Sequence, residues 1–230
     1  MRDHDTQMMG SQARFQTTQW SLVRASEDVK ALDDLISIYW KPLYFYVRRR
    51  GYGNEAAKDI VQEFLTGLLE RGAIARADPS RGRFRTFLLT SLGRFLQDWA
   101  KTAGRKKRGA GQTILSLDFA AGEREYALEV AAGDPPERVL HRAWARSLWE
   151  RSIAQLEGEP SHREAFRLYL ADADYKTIAA RTGLSEAAAK TAVHRIKAQL
   201  KEIVLGHLRR TASSEQEVQA ELSDFLALLG

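Results

Sequence analysis

Apolar side chains recur at helical spacing along most of this chain, which predicts an all-α protein. Over Ala31–Arg50 the stripe is Leu32, Leu35, Ile36, Tyr39, Leu43 and Val47, with Pro42 placed where it would kink or split the helix. Arg48, Arg49 and Arg50 ahead of Gly51 form a cationic helix end with a glycine stop. From Asn54 to Arg71, Ile60, Val61, Phe64, Leu65, Leu68 and Leu69 share one face, and Asp59, Gln62, Glu63, Thr66 and Glu70 share the other. Asp78-Pro79-Ser80-Arg81-Gly82 signals a turn. Phe84–Trp99 is then a long helix striped by Phe84, Phe87, Leu88, Leu92, Phe95, Leu96 and Trp99. That stripe reads as core, not as a base-stacking platform. Upstream, Met1 to about Gln16 is polar, and Thr17-Thr18 offers a cap for a helix beginning near Trp20.

Composition changes at Gly109. From there to the Asp134-Pro135-Pro136 stop the chain is glycine-punctuated and acidic, the character of an interdomain linker, with a short helix expected near Glu123–Val130. Helical spacing resumes over Glu137–Leu156 and, after a break at Gly158–Ser161, over Arg163–Leu170. The last stretch, Thr211–Gly230, carries only acidic charges and one more stripe of Val218, Leu222, Phe225, Leu226 and Leu229.

Between these lies the stretch with the most specific pattern, Asp174–Lys201. Tyr175, Ile178 and Ala179 point one way on a short helix, and Ala179 is small where two helices must cross. Gly183 stands where the following turn needs a positive φ. Ser185 can cap a second helix, with Glu186 suited to its dipole. At 100° per residue Ala189, Val193, Ile196 and Leu200 form its apolar back, and Ala187, Lys190, Thr191, His194 and Arg195 its small, basic front. This is the layout of a helix-turn-helix whose second helix enters a DNA major groove.

Charge extends the picture. The net charge is +5, and much of the excess is gathered in Arg105-Lys106-Lys107-Arg108, with Arg81, Arg83 and Arg85 upstream. The face of the intervening helix opposite its aromatic stripe holds Thr86, Thr90, Gly93, Arg94, Gln97 and Lys101, side chains suited to phosphates and bases. The polar face of Asp59, Gln62 and Glu63 reads either as a solvated surface or as a dock for a cationic partner. With no cysteine, disulfides and thiol chemistry are excluded, and the five histidines lack metal-ligand spacing, so neither metal nor cofactor is expected. Carboxylates without a nucleophile or phosphate loop beside them argue against an enzyme. No apolar run approaches a membrane span, and Met1–Gln16 lacks the apolar centre of a signal peptide, so a cytoplasmic protein without membrane insertion is expected.

Three motifs in order carry a resemblance. They are Asp59-Ile60-Val61-Gln62-Glu63, then Phe84-Arg85-Thr86-Phe87-Leu88 leading to the basic run, and last Gly183-Leu184-Ser185 through Lys190 with its Val193-His194-Arg195-Ile196-Lys197 tail. Together they resemble a sigma-70 family RNA polymerase sigma factor, the small extracytoplasmic-function class in particular, from about Trp20 to Leu208. The resemblance implies two small helical domains joined by an extended linker. A region 2 domain would span 17–108 after a mobile N-terminus (1–16), an acidic linker 109–136, and a region 4 helix-turn-helix domain 137–208, with an acidic amphipathic extension over 209–230.

It further implies that Asp59, Gln62 and Glu63 dock on the β′ clamp helices of the polymerase core, with the β flap a second polymerase contact. Arg81, Arg83, Thr86, Thr90, Arg94, Gln97, Lys101, Arg105, Lys106, Lys107 and Arg108 would engage and melt the −10 element. Ala187, Lys190, Thr191, His194 and Arg195 would read the −35 element, and an anti-sigma protein is a further partner of the class. The chain departs from the pattern at Arg94, where many relatives carry Asn, at Ala189, where Val is usual, and in its tail after Thr211. The competing reading is a stand-alone helix-turn-helix regulator that binds duplex DNA without polymerase.

Overall fold

The computed structural model describes residues 29–70, 83–102, 115–129 and 133–229, and every element among them is an α-helix. The helices are α1 (Val29–Arg49), α2 (Asn54–Glu70), α3 (Phe84–Thr102), α4 (Phe119–Glu129), α5 (Pro136–Ala154), α6 (Pro160–Leu170), α7 (Tyr175–Thr182), α8 (Glu186–Thr211) and α9 (Glu215–Leu229). The helix expected near Trp20 and the turn at Asp78–Gly82 lie outside the described residues.

The first module is built on α1, which runs unbroken through Pro42. The single stripe expected of it understates its burial. From Ile38 to Val47 every residue but Lys41 is buried, and Leu43, Tyr44 and Val47 are fully so. A helix apolar on all sides is one with neighbours on all sides. Here α2 covers one flank, α4 a second and α5 a third, and the pairing of α1 with α5 is the most extensive in the molecule. The first and second modules therefore share one continuous hydrophobic core.

The acidic stretch between the modules contributes α4, close to the helix expected there. Its carboxylates are tied to α1. Glu123 takes Arg48 through both oxygens at 2.8 and 3.0 Å and the Tyr44 hydroxyl at 2.5 Å, and Glu125 takes Lys41 at 2.7 Å. Burial pushes the Glu123 pKa up, but the bonds from Tyr44 and Arg48 outweigh it and leave the carboxyl below its usual range. Gly122 allows the close approach, since a Cβ there would lie 3.0 Å from the Trp40 ring.

Two polar clusters lie in the seam between modules, each built on a buried charge. At the first, Asp34 of α1 is 1% exposed. Its carboxylate accepts from Arg151 of α5 at 2.6 and 2.8 Å, from Arg210 of α8 at 2.5 Å and from Gln155 at 3.0 Å. His207 Nε2 lies 3.1 Å from Gln155 Oε1, and since a carbonyl oxygen can only accept, Nε2 carries the proton. At the second, Arg85 at the start of α3 is 3% exposed and its guanidinium lies 3.8 Å from the centroid of the Trp144 ring of α5. It donates to Glu221 of α9 at 2.9 Å, to Asp224 at 3.3 Å and to His141 Nδ1 at 2.9 Å. Burial and the Arg85 charge both lower the His141 pKa, which keeps Nδ1 an acceptor.

Candidate nucleic-acid interface

The helix-turn-helix is assembled by local rules. Asp174 caps α7 by accepting from the Thr177 N–H at 2.7 Å, and Thr182 Oγ1 bonds back to the Ile178 carbonyl. Gly183 sits at φ 74°, the left-handed conformation that ends α7 and that a side chain would strain. Ser185 then caps α8, its hydroxyl accepting from the Ala188 N–H at 3.2 Å. Ile178, Ala189, Val193, Ile196 and Leu200 are buried as the pattern requires. Tyr169 of α6 stacks on Tyr175 of α7 with centroids 6.2 Å apart, and Lys197 of α8 lies 4.9 Å over the Tyr169 ring. Those contacts fix the angle of α8 on its two supporting helices.

Ala187, Lys190, Thr191, His194 and Arg195 all lie exposed on one side of the first three turns of α8. The Thr191 hydroxyl donates to the Ala187 carbonyl at 3.0 Å, which leaves its oxygen outward as an acceptor. The N-terminus of α8 adds its own positive end to the two cations. A small, positively charged ridge of this kind fits a groove floored by bases and walled by phosphates. α8 also runs on beyond Lys201, to Thr211. Its second half is not part of the ridge, because Val204, Leu205, His207 and Leu208 are buried, the last two against α1 and α5.

On α3, Phe84, Leu88, Leu92 and Leu96 are buried, and Phe87, Phe95 and Trp99 are half-buried and packed against that core, so the stripe faces inward as expected. The opposite face presents Thr86, Thr90, Arg94, Gln97 and Lys101 as exposed, with Lys101 in a 3.3 Å contact with Asp98. Arg81 and Arg105, Lys106, Lys107 and Arg108 lie outside the described residues. Arg83 is only half-exposed, since it is paired with Asp224 and, at 3.2 Å, with Glu221. Burial lowers its pKa, but the bond from Asp224 and the nearby carboxylates outweigh that and raise it. Arg85, counted with the basic footprint from sequence, does not contribute to it, because its charge is buried and spent on α9.

On α2 the acidic face is presented to solvent. Asp59 and Glu63 are exposed and Gln62 half-buried, while Ile60, Val61, Phe64 and Leu65 anchor the opposite side in the core. The residues that sequence reasoning missed are those of the seam: Asp34, Arg151, Arg210, Gln155, His207 and Glu221. Their partners stand more than a hundred residues apart, apart from the Gln155–His207 pair, so no local pattern could have found them.

Two stretches of the chain match known families. Residues 35–106 match sigma-70 region 2, and residues 159–200 match sigma-70 region 4. The first covers the exposed faces of α2 and α3, and the second covers α6, α7 and the ridge of α8. No curated protein and no solved structure matches the chain. No described helix is long and apolar enough to cross a membrane. The two matches support a sigma-70 family sigma factor, a protein that binds RNA polymerase and promoter DNA.

Proposed function

We propose, from the presence of sigma-70 regions 2 and 4 on one chain, that this protein is an extracytoplasmic-function type sigma factor of the cytoplasm. It joins core RNA polymerase, recognises the −35 and −10 elements, melts the −10 region and directs the start of transcription. The observation that carries the reading is the pairing, on one chain, of a capped helix-turn-helix having an exposed basic ridge with a region 2 match whose α3 face is exposed.

In this mechanism α8 enters the major groove of the −35 element. Lys190 and Arg195 take phosphates or base edges, and Ala187 lets the helix sit deep. Thr86, Thr90, Arg94 and Gln97 line the face of α3 that meets the −10 element, with Lys101 and the basic run beyond it neutralising backbone charge. Unstacking a base costs a few kcal/mol, so contacts made only to the opened strand drive melting. The exposed carboxylates Asp59 and Glu63 are suited to a cationic surface on polymerase, here the β′ clamp helices.

Promoter-dependent run-off transcription with core polymerase tests the whole reading, because a stand-alone regulator starts no RNA. The Asp59→Ala, Glu63→Ala double variant is expected to fold normally and to lose most of its run-off product through weaker capture by core. Full capture by the folded double variant would count against this docking face. Lys190→Ala and Arg195→Ala should each weaken duplex binding. For each lost phosphate contact, the slope of log affinity against log salt should flatten by about 0.9. An unchanged slope moves that residue off the backbone.

A further inference from the structure

The tail after Thr211 lies beyond both family matches, yet the carboxylates of α9 reach across to the first module. Its apolar side is seated on the second module. Val218 and Phe225 are buried, and the Phe225 ring meets Trp144 edge to face with centroids 6.2 Å apart. Its carboxylates go to the first module. Glu221, 4% exposed, takes Arg85 at 2.9 Å and Arg83 at 3.2 Å, and Asp224 takes the same two arginines. Trp144 is thus clamped between the Arg85 guanidinium and the Phe225 ring. Both arginines stand at the N-terminal end of α3, the helix whose exposed face is assigned to the −10 element. Arg83, itself one of the cations assigned to DNA, is held by carboxylates where a phosphate would otherwise bind.

Distance supplies the second argument. The −35 and −10 elements are separated by about 25 base pairs, which is about 85 Å of duplex at 3.4 Å per base pair. A packed body of about 200 residues is about 45 Å across. Two modules that share one core through α1 and α5 do not reach both elements at once. The seam must part before both are engaged, and α9 ties its two sides by ion pairs to α3, as the Asp34 cluster does between α1, α5 and α8.

We propose that α9 is an internal latch. Glu221 and Asp224 occupy Arg83 and Arg85 in the free chain and hold the modules closed, and release of α9 from α3 frees both arginines and lets the modules separate. This rests on the promoter-binding reading above for its consequence, but not for its geometry. Opening exchanges protein carboxylates for water, polymerase or nucleic-acid phosphate around two arginines. It also parts the α1–α5 packing and the Asp34 cluster, so the α9 ion pairs supply one share of the closed state's advantage. Neutralising the carboxylates weakens the closed state alone, because in the open state they are solvated. The fraction of chains competent for polymerase then rises, and apparent affinity rises with it.

The absence of cysteine makes the test direct. Glu70→Cys on α2 and Ala198→Cys on α8, both exposed positions, accept a donor and an acceptor fluorophore in the full chain. In the Glu221→Gln, Asp224→Asn variant, energy transfer should fall in the absence of polymerase and DNA. Run-off product at limiting core should rise about tenfold, the change expected when charged hydrogen bonds of this kind are lost from one state only. Asp224→Lys, which alters only the half-exposed member of the pair, guards against misfolding and should shift both readings the same way. Unchanged transfer in variants with normal helical content overturns the latch. Reduced transfer with no transcription from any promoter leaves the latch standing and overturns the initiation reading instead.

Discussion

Replacing Asp34 with alanine should lower folding stability by about 3 kcal/mol, measured by urea unfolding at pH 7. The carboxylate is the shared acceptor of Arg151, Arg210 and Gln155, and it joins α1 of the first module to α5 and α8 of the second. Removing one partner of a buried ion cluster typically costs about 3–5 kcal/mol, because the remaining charges keep their desolvation and lose its compensation. The lower end applies here, since Arg151 and Arg210 are 29% and 30% exposed and can turn partly to water. Asp34→Asn keeps the shape and loses the charge, so it should fall between wild type and alanine. A double-mutant cycle with Arg210→Ala should show the two changes to be less than additive. A loss under about 1 kcal/mol for Asp34→Ala would show that the cluster is solvated and unimportant.

Acid sensitivity should come from two groups in separate windows. Burial is the main cause that depresses the His207 pKa, from 6.5 to about 4. The neighbouring Asp34 charge opposes that shift, and Arg210 and Arg151 reinforce it. Its folded value is the lower one, so in this range the unfolded chain binds the extra proton. The stability it contributes is complete above pH 6.5 and is lost as pH falls toward 4. Between pH 7 and pH 4.5 the loss through this one ring is about 2.5 kcal/mol. His207→Gln, which can still meet Gln155, should flatten the stability profile across that window by about that amount. A profile as steep as wild type would place the titration elsewhere, His141 being the next candidate.

Asp34 acts lower on the scale. Burial raises its pKa, but the bonds from Arg210 and Arg151 outweigh that and hold it below 3.8. Its contribution is therefore present above its unfolded value and is lost only as pH falls through the lower folded one. Stability should decline first through histidine charging and then, below about pH 4, through carboxylate protonation.

Both effects concern the seam, and the seam is where sequence reasoning stopped. The helix-turn-helix was legible to the residue, because a cap at Ser185, a left-handed turn at Gly183 and the 3.6-residue period of α8 are decided within a few residues of themselves. The same holds for the acidic face of α2 and the exposed face of α3, which follow from the apolar stripe opposite each. Burial around α1 was read as one stripe because periodicity reports only the strongest side of a helix. α4 and α5, which cover the rest of it, enter from the middle of the chain.

Arg85 shows the limit most clearly. Read along the chain it is one more cation in a basic stretch between Arg81 and Arg108, and a local rule assigns it to phosphate. Its partner Glu221 stands 136 residues away, and Arg210 stands 176 residues from Asp34. The amino-acid sequence determined by itself where helices start and stop, which face of each is apolar, and which side of α8 is basic, because those depend on backbone preference and neighbouring spacing. Which charges remain available to a partner, and whether two modules stand apart or share a core, was decided only by tertiary structure. A side chain's charge is local, but its desolvation and pairing depend on whatever the rest of the chain brings against it.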